Sequence, residues 1–155
     1  MITLLKILAG EWAGSGVGQY PTIESFKYLE TLRLTLDETR PILHYEQKTH
    51  RLNTGQGNSV PSHWETGFLY VVSDNRVEMA NAQTGGRVEI LAGVIEPAPA
   101  GVLLRLRSTH FANDPRMQES TRTITVNGNT LHYTMHMRTT KVPQLAIHLE
   151  ATLQR

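Results

Sequence analysis

The sequence predicts an all-β fold: a single up-and-down antiparallel barrel of about ten strands behind a short N-terminal helix. Three observations predict it. After Gly10, apolar and polar residues alternate in short runs along almost the whole chain. Turn-forming residues separate those runs at close spacing, and helical periodicity is confined to the first few positions. Many short strands in one domain are best protected when the sheet closes on itself and leaves no edge. The 155 residues suit one such domain spanning 1–155, large enough to bury its own core.

Taken in order, Thr3 is a candidate cap, Leu4, Leu5, Ile7 and Leu8 supply an apolar stripe, and Gly10 is a natural stop. This is barely two turns, so the helix needs something to pack on. Next comes Gly14-Ser15-Gly16-Val17-Gly18. No strand precedes it, which argues against a phosphate loop, and the glycines read as places where a strand bends sharply at the closed end. Trp12 then plugs the bottom of the barrel. Leu32, Leu34 and Leu36 share one face, as do Val88, Ile90, Ala92 and Val94, and then Val102, Leu104 and Leu106. Ile124 and Val126 follow, then Leu131, Tyr133, Met135 and Met137, and finally Leu145, Ile147, Leu149, Ala151 and Leu153. Asp74-Asn75, Gly85-Gly86, the stretch 97–101 and Asn127-Gly128-Asn129 supply the turns. The segment 53–61 reads as the longest loop.

Composition removes several functions. There is no cysteine, hence no disulfide, thiolate nucleophile, zinc–sulfur or iron–sulfur site. Fifteen basic against fourteen acidic residues give a net charge of +1, which offers no footprint for nucleic acid. No apolar run reaches the roughly 20 residues of a membrane span, and the opening segment 1–9 lacks the marks of a signal peptide. The expected location is the cytoplasm, with neither nucleic acid nor membrane as a partner.

A barrel of this strand number encloses a cavity, so the functional side chains are those facing it. Seven histidines are candidates. His132 and His136 lie on the parity opposite Leu131 and Tyr133 and read as surface residues, as does His110. His44 and His50 lie ~20 Å apart along one strand and cannot share an ion. Two others matter more. His63 follows Pro61 at the end of the long loop and can look into the barrel mouth. His148 lies between Ile147 and Leu149 in the last run; a neutral imidazole in such a dry pocket is either a satisfied core residue or a haem ligand. Strict alternation sets His148 with Ala146, Glu150 and Thr152, opposite the apolar face. An inward ring therefore requires either a bulge or a cavity side that is the less apolar one.

Several blocks together resemble the nitrobindin family. Gly10-Glu11-Trp12-Ala13-Gly14-Ser15-Gly16 fits a G-x-W-x-G-x-G motif, followed by Tyr20-Pro21-Thr22-Ile23 and, at the far end, His148-Leu149-Glu150-Ala151-Thr152-Leu153. Ser62-His63-Trp64-Glu65-Thr66-Gly67-Phe68 and Thr84-Gly85-Gly86-Arg87-Val88-Glu89 stand in the right order between them. The likeness runs over about 8–155. It implies a ten-stranded lipocalin-like barrel binding ferric haem b, with His148 as the axial iron ligand and catalytic residue. It also implies Thr22 with Ile23 beside the cofactor, His63 in the pocket and Met137 on its lining. The implied activity is isomerisation of peroxynitrite to nitrate, with nitric oxide as a ligand, so haem and small reactive nitrogen species are the expected partners. Whether the chain is a monomer or a homodimer is not legible.

The alternative is a non-catalytic carrier of a small hydrophobic or amphipathic ligand, in the manner of fatty-acid-binding proteins. It needs a buried cation for a ligand carboxylate. Arg122, which shares parity with Ile124 and Val126, is the candidate, and the same residue is a candidate contact for the haem. A metal-free hydrolase has little support: Ser62 beside His63 lacks a nucleophile elbow and an orienting acid.

Overall fold

The computed structural model describes residues 2–53, 55 and 57–155. A helix, α1 (Ile2–Leu8), precedes ten strands. These are β1 (Gly10–Tyr20), β2 (Ile23–Leu36), β3 (Ile42–Leu52), β4 (Ser59–Ser73) and β5 (Arg76–Gln83). They continue as β6 (Val88–Ala98), β7 (Gly101–Ala112), β8 (Met117–Asn127), β9 (Thr130–Thr139) and β10 (Ala146–Gln154). Each strand pairs antiparallel with its neighbour in the chain, and β1 pairs with β10 to close the barrel. Closure leaves no free edge. Among the described residues no helix is long and apolar enough to cross a membrane.

Connections alternate between the two ends. One end is closed by α1, whose Leu5 and Leu8 are fully buried. Trp12 lies beneath them, with Nε1 donating to the Leu8 carbonyl at 2.9 Å. Thr3 lies inside the first turn of α1 rather than at its cap. Two-residue turns at Asp74-Asn75 and Gly128-Asn129 sit at this end, with positive φ at Asp74 and Gly128 as tight hairpins demand. The other end is the mouth, rimmed by 21–22, 53, 55, 57–58, 84–87, 113–116 and 140–145. Within the loop between β3 and β4, Thr54 and Gln56 lie outside the described residues; β4 claims the rest of the predicted loop from Ser59 onward.

Two expectations change. In β6 the inward residues are Glu89, Leu91 and Ile95, whereas Val88 and Ile90 face outward. The apolar parity there belongs to the outer surface, because a buried and fully partnered Glu89 occupies the inner one. The glycines of β1 are also not a bend. A Cβ at Gly16 would lie 2.5 Å from the Tyr28 hydroxyl and 2.6 Å from the Glu150 carbonyl oxygen, and one at Gly18 would enter the Phe26 ring. They are flat places where β2 aromatics lie across β1 and β10 approaches closely.

Candidate functional site

The barrel encloses a cavity of about 300 Å³ that runs from the mouth down to Leu8. Phe26, Leu34, Ile124, Met135 and Leu149 give it apolar walls, while His63, Arg87, Asp114, Arg116 and His148 line it among the mouth residues. Apolar walls with a few convergent polar groups are the usual form of a ligand site.

The route by which His148 comes to line this cavity starts in the backbone. The β9–β10 register breaks between Ile147 and Leu149: below the break Leu149 pairs with Met135, above it Ile147 pairs with His136. His148 is the extra residue of a β-bulge, which re-aims it to the inner face beside Leu149. A matching irregularity between Gly18 and Tyr20 leaves Gln19 unpaired in the β1–β2 ladder. The two bulges meet. His148 Nδ1–H donates to the Gln19 carbonyl at 3.0 Å, and the Tyr20 ring meets the imidazole edge-on at 5.7 Å between centroids. The Tyr20 hydroxyl is in turn anchored on the Met137 carbonyl at 3.1 Å. That leaves His148 Nε2 without a partner among the described residues. Burial lowers the proton affinity of the ring, and the charges of Arg87 and His63 add to this against the Gln19 hydrogen bond. The imidazole is neutral at neutral pH.

His63 lines the cavity from β4 and donates from Nε2 to Glu65 Oε2 at 2.8 Å. Glu65 is buried and also accepts from Arg122 Nη1 at 2.5 Å and from the Tyr45 hydroxyl at 2.9 Å. Burial alone would raise its carboxyl, but the Arg122 charge and the His63 and Arg122 hydrogen bonds hold it well below the usual carboxylate range. Arg122 Nη2 reaches Glu89 Oε2 at 2.8 Å, and Glu89 takes further bonds from Ser120 and Asn81. A second buried cluster comprises Glu30, Gln47, Tyr28 and Tyr133. Glu30 accepts from Gln47 at 2.7 Å and faces the Tyr133 hydroxyl at 2.5 Å, while the Tyr28 and Tyr133 hydroxyls are 2.8 Å apart. The buried Nε atoms of Arg87 and Arg122 have no hydrogen-bond partner among the described residues.

The remaining sequence candidates fall as follows. Thr22 is exposed on the β1–β2 turn, and Ile23 is exposed at the start of β2, both at the mouth beside Gln19. Met137 is half-buried on β9, whereas the methionine lining the cavity from that strand is Met135. Arg122 faces inward, but both its terminal nitrogens are taken by carboxylates. Of the other histidines, His132 bonds Glu150, His44 bonds Thr66 across the outer surface, and His110 is exposed. Sequence reasoning missed the Gln19 carbonyl, the Tyr20 ring, Glu30 and Arg87. A backbone acceptor at a bulge leaves no residue signature. Glu65 was legible in principle, because a residue two positions from His63 shares its face.

Comparison with known proteins agrees with this architecture. Residues 1–155 match the family model of the THAP4-like, heme-binding beta-barrel domain. The chain is 36% identical over 157 residues to a peroxynitrite isomerase of Nocardia farcinica, covering 99% of this chain and 90% of that protein. It is 34% identical over 151 residues to an Arabidopsis thaliana protein named peroxynitrite isomerase Rv2717c, covering 97% and 86%. The crystal structure of Rv2717c from M. tuberculosis superposes with a TM-score of 0.87 at 32% identity, covering 99% of this chain and 96% of that one.

Proposed function

The chain belongs to the nitrobindin family of THAP4-like, heme-binding β-barrels, and from that premise we propose that it binds ferric haem b through His148 and isomerises peroxynitrite to nitrate, with nitric oxide as a further ligand of the pocket. The observation that carries the reading is the bulge at His148. An axial imidazole has to be neutral, oriented through one nitrogen and free at the other. The Nδ1–H bond to the Gln19 carbonyl and the unpartnered Nε2 supply all three conditions. The walls formed by Phe26, Ile124, Met135 and Leu149 suit a flat apolar macrocycle. The residues present fit the group.

Held by His148, haem would supply the iron chemistry that converts peroxynitrite to nitrate. The chain's own contribution is positional. Gln19 and Tyr20 fix the plane of the His148 ring. Glu65 fixes the His63 tautomer by accepting the Nε2 proton, so only Nδ1 of His63 is available to a pocket ligand. Thr22 and Ile23, next in the chain after the Gln19-Tyr20 support, are the rim residues nearest in sequence to the axial ring and in this reading touch the cofactor's edge. Met137 supports the wall through Tyr20. Glu65 and Glu89 hold Arg122 back, so its role is to keep His63 and Glu65 in place.

For a carrier of a small amphipathic ligand the sequence offers Arg122 as the carboxylate partner, and Arg122 is already bound by two carboxylates. Hemin titration separates the readings. The expected result is a saturable ferric Soret band, lost in His148→Ala, with the loaded protein speeding peroxynitrite decay to nitrate beyond an equal amount of free hemin. A wild type without a saturable band, or a His148→Ala variant with an unchanged one, overturns the assignment.

A further inference from the structure

Arg87, on the turn between β5 and β6, is not absorbed by the site as described. It lines the cavity mouth and its side chain is only 17% exposed. Its hydrogen bonding is poor for so buried a guanidinium. Nη1 reaches Asp114 Oδ2 at 3.4 Å, and Nε, buried, has no partner among the described residues. Asp114 is committed elsewhere. Its two oxygens take Arg116 Nε at 2.9 Å and Arg116 Nη2 at 3.0 Å, a paired arrangement that leaves Arg87 the weakest claim on it. An Arg buried to this degree and left with an empty donor loses hydration without recovering it in the protein. Nη2, the other terminal nitrogen, makes no hydrogen bond among the described residues and is the donor left for an anionic oxygen at the mouth, such as one of a carboxylate. Arg87 and His148 line the same cavity.

We propose that Arg87 is the anchor for a carboxylate of the tetrapyrrole bound in this cavity, with Asp114 and Arg116 serving to orient it. The proposal rests on the haem reading above and assigns the propionate contact to Arg87 rather than to Arg122. Arg122 Nε is likewise unpartnered, but both its terminal nitrogens hold carboxylates, at 2.5 and 2.8 Å.

The test measures transfer of the bound group to excess apomyoglobin, for haem and for its dimethyl ester, from wild type, Arg87→Met and Arg87→Lys. Removing one charge-assisted pair is expected to speed haem loss by about tenfold or more in Arg87→Met. Arg87→Lys, which keeps the charge but not the fork, is expected to fall between. The Soret position stays that of the wild type because His148 is untouched. The ester is expected to leave the wild type as fast as haem leaves Arg87→Met, and the variant is expected to show no further loss with it. The wild-type comparison of haem with ester stands even if Arg87→Met folds poorly. Equal retention of haem by wild type and Arg87→Met, or of haem and ester by wild type, overturns the proposal. So does a variant that keeps haem but loses affinity for nitrite added to the ferric protein, which would assign Arg87 to a free anion. A wild type that takes up no hemin at all instead sinks the haem reading itself.

Discussion

Glu30 is the buried carboxyl with no cationic partner among the described residues. Burial pushes it up to about 7 from 4.5, against the opposing hydrogen bonds from Tyr133 and Gln47. The folded state thus holds this proton more tightly than the unfolded chain. Its contribution to folding is complete below pH 4.5 and is lost as pH rises to about 7. Glu30→Gln, which mimics the protonated form, is expected to match wild type in urea denaturation at pH 4 and to exceed it by about 3 kcal/mol at pH 8. An unchanged difference between the two pH values would show that Glu30 does not titrate with folding. Neither this behaviour nor the Arg122 pairing was readable from composition. A charged residue within an alternating run looks the same whether its partners lie across the barrel or in water. His63 was legible, because its place at the end of the loop-like segment 53–61 points to the mouth.

Strand boundaries and hairpins were largely visible, since alternation and turn chemistry are local properties. Bulges are not. The last strand reads as an unbroken apolar stripe from Leu145 to Leu153, and only the register break beside Met135 reveals that His148 leaves its parity. β6 failed for a related reason: Val88 and Ile90 outweigh Glu89 in any hydrophobic count, although Glu89 is the residue fully enclosed. The glycines of β1 belong to this scale too. Gly16 makes room for the Tyr28 ring, which holds Tyr133 by its hydroxyl. Gly16→Ala is expected to displace that ring and lower stability by about 1–3 kcal/mol, the usual cost of overpacking. Thermal or urea unfolding checks it, and an unchanged midpoint would mean the ring moves aside freely.

Pairing that runs from β1 through every strand and back makes the barrel one hydrogen-bonded ring. A closed ring of this kind is expected to unfold in one event. The two tryptophans allow a direct check, because Trp12 is buried under α1 whereas Trp64 is 48% exposed on the outer surface. In a Trp64→Phe background, Trp12 fluorescence and far-ultraviolet circular dichroism are expected to report coincident urea transitions. An earlier fluorescence transition would make the helix-capped end a separate unit. The interior has a further property as a whole. Among the described residues, Glu30, Glu65 and Glu89 are the fully enclosed carboxyls and Arg122 the fully enclosed guanidinium. The depths of the cavity therefore hold more acid than base, while Arg87 and Arg116 line its mouth. An anionic reactant is drawn to the rim and turned back below it, and an anionic product leaves by the way its precursor came, without crossing the molecule.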